Sequence, residues 1–159
     1  MQITNQSSFL SSMNLNFTAL QVSEKAIKEV EYMGHSAKKY YERIWNNLSA
    51  SLCDTVFYDV FINDKLSPVY IEKATGIELR NVRLRSKSRE NILASADICD
   101  NGIRKTNSSF TLPNLEGLIF ITGENKLIED ANDVIGFARA LETYKNSLNQ
   151  ELGIIVVQR

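Results

Sequence analysis

The stretch LSPVYIEKATGIELRNVRLRSKSR, residues 66–89, decides how the middle of this chain folds. Ser67 followed by Pro68 is typical of a helix start, because serine accepts hydrogen bonds from first-turn amides and proline suits the first helical position. Gly76 supplies the left-handed backbone with which many helices end. We therefore predict two short helices that meet at Gly76, the first over residues 69–75.

A basic run follows the glycine. Residues 80–89 contain five basic side chains and no acidic one. On a helix, Arg80, Arg83 and Lys87 would share one face. The same residues also fit a strand in which Val82 and Leu84 face inward and the arginines face solvent, since a charged edge strand resists aggregation. Helix and strand both remain open for residues 77–85, and we predict the helix.

A β-hairpin is predicted directly after the basic run. Residues 92–99 and 103–112 read as two strands, and Asp100-Asn101-Gly102 between them is a strong tight-turn signal. Arg104 and Lys105 lie just past the turn. The hairpin therefore has a basic tip.

Residues 66–112 resemble the winged helix-turn-helix of DNA-binding proteins. The aliphatic residues Ile71, Ile77 and Val82 are spaced around Gly76 as in that motif, where they pack the two helices together, and the hairpin stands where the wing belongs. The resemblance implies a recognition helix in the major groove and a wing on the phosphate backbone or the adjacent minor groove. The DNA-binding residues that it implies are Arg80, Asn81, Arg83, Lys87, Arg89, Arg104 and Lys105.

The N-terminal half reads as helical. Ser23 is a helix cap that precedes apolar residues at three-residue spacing, and the helix is predicted to stop near Gly34. A second helix is predicted from Ser36 with an apolar stripe made by Ala37, Tyr41, Ile44 and Leu48. Its aromatic residues fit the core or, alternatively, a platform for stacked bases; they are Tyr40, Tyr41 and Trp45. Residues 52–64 fit either a strand or a helix, and we predict a continuing helix.

The apolar pattern of the C-terminal part predicts a strand over residues 118–122, a helix over 126–148 and a strand over 153–157. The predicted helix has a heptad-like stripe formed by Leu127, Ala131, Val134, Ala138 and Leu141. Such a stripe fits a homodimer seam through residues 127–148 or packing on the chain's own sheet.

Charge and composition narrow the classes of function. The net charge is −1, but residues 62–112 carry 9 basic and 6 acidic side chains, so only the middle of the chain is basic. Cys53, Cys99 and the single His35 lack metal-ligand spacing, so we expect no metal or cofactor. We can assemble no catalytic site and expect no enzyme. The sequence has no signal peptide and no long apolar run, which predicts a cytoplasmic protein without a membrane span.

Together these patterns predict an α+β chain with a helical N-terminal half, a helix-turn-helix with a hairpin wing, and a strand-helix-strand module. The predicted divisions are an arm over 1–22, the winged region over 23–112 and the module over 113–159. The expected function is a transcriptional regulator that binds double-stranded DNA. The alternative is a protein-protein interaction module or inhibitor that binds no nucleic acid and uses a sheet edge or helix groove within residues 116–159.

Overall fold

The structure is a computed structural model that describes residues 20–88, 90–114 and 126–151, except for the side chains of residues 150 and 151. These residues form ten elements. The helices are α1 (Glu24–Tyr32), α2 (His35–Ser51) and α3 (Ala131–Glu151). The strands are β1 (Leu20–Val22), β2 (Tyr58–Ile62), β3 (Pro68–Glu72), β4 (Glu78–Lys87), β5 (Asn91–Asp100), β6 (Ile103–Pro113) and β7 (Lys126–Leu127).

All the strands of the described residues belong to one sheet. The order is β1-β2-β3-β4-β5-β6, and β7 pairs with β4 beyond the point where β3 ends. The β1–β2 pair is parallel and every other pair is antiparallel. The parallel pair is possible because α1 and α2 connect β1 to β2 as a crossover.

The helices cover one face of this sheet, which we call the inner face. The core contains Ile27 of α1, Trp45 of α2 and Phe137 of α3, together with inward-facing strand residues such as Tyr70 and Ala94. The Tyr70 and Phe137 rings meet at 4.9 Å in an edge-to-face arrangement. The described parts of all three predicted divisions therefore share one sheet and one core.

Helices α1 and α2 confirm the predictions for residues 23–51. The Ser23 hydroxyl accepts the Ala26 amide at 3.3 Å, and the left-handed Gly34 (φ 108°) separates the two helices. Ile27 and Val30 of the predicted apolar spacing are fully buried. Local signals were sufficient here because the cap, the spacing and the glycine all favour the same boundary.

The predicted arrangement of the middle of the chain is wrong. The chain is α+β, but its described N-terminal helices end at Ser51. Residues 69–72 lie in β3 and residues 78–87 lie in β4, so residues 66–88 form no helix-turn-helix. Pro68 is the first residue of a strand, where its missing N–H is tolerated. Gly76 is left-handed as predicted (φ 77°), but it serves the β3–β4 turn, in which its amide donates to the Glu72 carbonyl at 2.8 Å.

The helix predicted to continue through residues 52–64 is also wrong, because residues 58–62 form β2. Its alternation places Val60 and Ile62 in the core. The start of β2 is fixed by Glu142 of α3, whose carboxylate accepts hydrogen bonds from the amides of Val56, Phe57 and Tyr58 at 2.6 to 3.1 Å. A contact between positions so distant in sequence leaves no local signal.

The predicted C-terminal helix begins five residues later than expected. Lys126 and Leu127 pair with β4, and the helix starts at Ala131, where the Asp130 carbonyl accepts the Val134 amide. Within the stripe, Val134, Ala138 and Leu141 are buried in the chain's own core, so a dimer would have to use other side chains. The strands predicted over 118–122 and 153–157 lie outside the described residues.

Candidate functional site

Two irregularities in β4 decide which side chains share the outer face of the sheet, opposite the helices. Ala94 and Ala96 of β5 are buried in the core, so Ser95 and Asp97 belong to the outer face. Arg83 is the cross-strand partner of Ser95, and Arg80 is the partner of Asp97. Residues three apart on a regular strand face opposite sides, but the register shift between Arg80 and Arg83 places both arginines on the outer face.

A second register shift, between Leu84 and Ser86, keeps Arg85 on the outer face as well. The Nε of Arg85 donates a hydrogen bond to the hydroxyl of Ser95, an outer-face residue, at 3.0 Å. Arg104 of β6 reaches the same face and donates its Nε to Asp97 at 3.1 Å. We call this surface the arginine face; it consists of Arg80, Arg83, Arg85 and Arg104. Two acidic residues, Glu78 and Asp97, lie among these four arginines, so the face remains net positive.

Asp97 organises this face. Its carboxylate accepts hydrogen bonds from Asn107 at 3.0 Å, from Asn81 at 2.9 Å and from Arg104. Asn81 has positive φ (51°) in the first irregularity of β4, and the hydrogen bond that its side-chain amide donates to Asp97 secures that backbone. The hydrogen bonds from Asn107, Asn81 and Arg104 together lower the pKa of Asp97 to about 2.

The predicted DNA-binding residues are only partly brought together. Arg80, Asn81, Arg83 and Arg104 meet on the outer face, with Arg80 also paired to Glu78 at 2.9 Å. Lys87 is exposed, but its cross-strand partner is Ile92, which belongs to the inner face, so Lys87 does not share the face of the arginines. Lys105 is exposed beside the hairpin turn, and Arg89 lies outside the described residues. The hairpin itself is present, with Asn101 and Gly102 both left-handed, but β5 is an interior strand of the sheet and the pair is no separate wing.

A groove of about 650 Å³ lies on the other side of the sheet, between α2, the β2–β3 turn and the start of α3. We call it the α2–α3 groove. Helix α2 contributes an aromatic and aliphatic wall, the turn contributes Leu66 and Pro68, and the segment before α3 contributes Glu129 and Asp130. The residues of the α2 wall are Tyr40, Tyr41, Ile44, Trp45, Asn47 and Leu48.

The aromatic side chains of this wall differ in exposure. Trp45 is 2% exposed and Tyr41 packs against the core, whereas Tyr40 is 52% exposed. Tyr41 contacts Tyr40 edge to face at 5.2 Å and Trp45 at 5.5 Å. The wall is therefore anchored in the core at one end and available to a partner at the other.

Leu66 stands out in the groove because its backbone is left-handed, with φ of 65°. This conformation costs a residue with a side chain about 1–2 kcal/mol, and turns usually place glycine or asparagine there. The turn enforces it, since the Asn63 side chain accepts the amides of Lys65 and Ser67 at 3.0 Å each. A strained aliphatic residue that lines a groove points to a role for its side chain.

The groove was not predicted. The sequence patterns single out the aromatic residues of α2, but they predict a helix start at Ser67-Pro68 and a helix interior at Glu129, and they give Leu66 no role. The signal that was missed is Asn63-Asp64-Lys65, a turn cluster between two β-rich runs, which is typical of a hairpin. The convergence of three separate segments could not be inferred from it.

No protein-family model matches this chain, and comparison with curated proteins and with solved structures finds no match either. Within residues 20–88, 90–114 and 126–151, no helix has the length and apolar character needed to cross a membrane.

Proposed function

We propose that this chain is a protein-interaction module that binds a segment of another protein in the α2–α3 groove. The observation that carries the proposal is Leu66, an aliphatic residue held in a costly left-handed conformation at the groove wall. This proposal keeps the class of function that the alternative from the sequence gave, but it moves the binding surface from residues 116–159 to a groove formed by α2, the β2–β3 turn and the start of α3.

The groove suits a chain segment better than a small apolar ligand. Small ligands are usually enclosed in mainly apolar pockets, whereas this groove is open and its lining mixes aromatic side chains with polar ones. Asn47 and Asn132 line it as well, and side-chain amides can bond the backbone of a bound peptide. Tyr40 and Leu66 both line the groove, and aromatic side chains such as that of Tyr40 are enriched at protein interfaces.

The charge at the rim favours a basic partner. Glu129 and Asp130 are exposed there, against one lysine, Lys65. Asp130 is 3.7 Å from Lys126 in an exposed pair, which is a weak interaction that a partner can replace. The expected occupant is a segment with an apolar anchor next to a lysine or arginine.

Selection of a random peptide library on the full chain tests this proposal. The enriched peptides are expected to share an apolar anchor and a neighbouring basic residue. Leu66→Gly should weaken their binding at least about tenfold while changing stability by less than about 1 kcal/mol, because relief of strain offsets the lost contact. Binding is measured by fluorescence anisotropy of a labelled peptide and stability by urea unfolding.

Tyr32→Ala is the matched control for a second variant, Tyr40→Ala. Both tyrosines are exposed, at 88% and 52%, but Tyr32 does not line the groove. Tyr40→Ala should weaken binding and Tyr32→Ala should leave it unchanged. Failure to enrich any such peptide, or equal effects of the two variants, would overturn the proposal.

A further inference from the structure

We infer that the arginine face binds the sugar-phosphate backbone of duplex nucleic acid. This inference concerns the outer face of the sheet and is independent of the α2–α3 groove. It retains part of the predicted set of DNA-binding residues but assigns them to a sheet surface in place of a helix and wing.

The guanidinium groups are held in place before any ligand arrives. Arg80, Arg85 and Arg104 each use Nε in a hydrogen bond within the chain, to Glu78, Ser95 and Asp97 respectively. Such a bond fixes the plane of the group and leaves its positive charge in place. Planar, oriented guanidinium groups suit phosphate, with which they form paired hydrogen bonds.

Positive charge, which is complementary to phosphate, is concentrated on this face. The two irregularities in β4 bring Arg80, Arg83 and Arg85 to one side of the sheet. The arginines are accessible: the side chain of Arg104 is 61% exposed and that of Arg80 is 31% exposed. Small polar residues surround them, among them Asn107, Ser109 and Thr111 of β6, which face outward. Side chains of these types contact phosphate and sugar in nucleic-acid complexes.

The composition of the face favours a duplex over a single strand. Single-stranded nucleic acids are held largely by bases stacked on aromatic side chains. The outward positions of β4, β5 and β6 that the structure describes carry no aromatic residue. Arginine contacts to phosphates bind a duplex without reading its sequence, so we expect this face to bind duplexes of mixed sequence.

The test is anisotropy of a labelled mixed-sequence DNA duplex with the full chain, between about 50 and about 200 mM salt. Four phosphate contacts predict a slope of log affinity against log salt of about −3 to −4. The double variant Arg80→Gln/Arg83→Gln should reduce that slope by about 2. The control, Lys39→Gln/Arg43→Gln, removes the same charge from exposed positions on α2 and should leave the slope unchanged.

If the double variant does not fold, the single variant Arg104→Gln replaces it in the test. This variant should reduce the slope of log affinity against log salt by about 1. No duplex binding at about 50 mM salt would overturn the inference. Equal losses in test and control variants would overturn it too. Tighter binding to the single strand, or equal binding to polyglutamate, would show that the face is not a duplex site.

Discussion

Asp97 shows how one carboxylate fixes the local geometry of a sheet. Three side chains from two neighbouring strands donate to it, and one of them, Asn81, holds positive φ where β4 is irregular. That irregularity turns Arg80 and Arg83 to the same side. The composition of the outer face therefore depends on a residue that the sequence did not single out.

The lowered pKa of Asp97 predicts how stability changes with pH. A carboxyl whose pKa is about 2 in the folded chain and 3.8 when unperturbed stabilises the fold above pH 4. That stabilisation is lost as the pH falls from about 4 to about 2, because the unfolded chain takes up the proton first. Urea unfolding of the wild type and Asp97→Ala at several pH values should show a difference in free energy of unfolding that shrinks over this range. A difference that stays constant with pH would contradict the role of the charged carboxylate.

At the scale of elements, α3 holds the beginning of β2. The Glu142 carboxylate accepts three consecutive backbone amides, of Val56, Phe57 and Tyr58. Nearby, Lys145 of α3 bonds Glu72 at the end of β3 at 2.6 Å, so the helix contacts the ends of two paired strands. Burial raises the pKa of Glu72, but the hydrogen bonds from Lys145 and Thr75 outweigh it and lower the pKa overall.

Replacement of Glu142 tests this attachment. Glu142→Ala should lower the free energy of unfolding by at least about 3 kcal/mol, since hydrogen bonds to a charged group contribute about 1.5–3 kcal/mol each and water replaces only part of this at partly buried amides. Glu31→Ala removes an exposed carboxylate from α1 and should change the free energy by less than about 0.5 kcal/mol. Chemical unfolding measures both. Equal small effects would mean that the amides find other partners.

Elements with consistent local signals were predictable. Helices α1 and α2 and the β5–β6 hairpin follow from a serine cap, apolar spacing and Asn101-Gly102, each of which acts within a few residues. Strands β3 and β4 were not predicted, because Ser67-Pro68 suits a helix start as well as a strand start, and Gly76 suits a helix end as well as a turn between strands. Pairing of β3 with β2 and of β4 with β5 decided between helix and strand, and both partner strands lie outside residues 66–89.

At the scale of the whole molecule, the sheet separates the two candidate surfaces. The α2–α3 groove includes Ile62 and Pro68, which pair on the inner face, whereas the arginine face lies on the outer one. A ligand on one face therefore leaves the other accessible. The two proposals can be tested separately on the same protein.

Trp45 makes the most direct measurement possible, because it is the only tryptophan of the chain and lines the groove. Titration with a selected peptide that lacks tryptophan should produce a saturable change in the fluorescence of Trp45. The dissociation constant from this titration should equal the one from anisotropy. The Leu66→Gly chain should need at least about ten times more peptide, and DNA should leave the emission unchanged. A peptide that binds by anisotropy without altering Trp45 emission would contradict the assignment of the groove as the binding site.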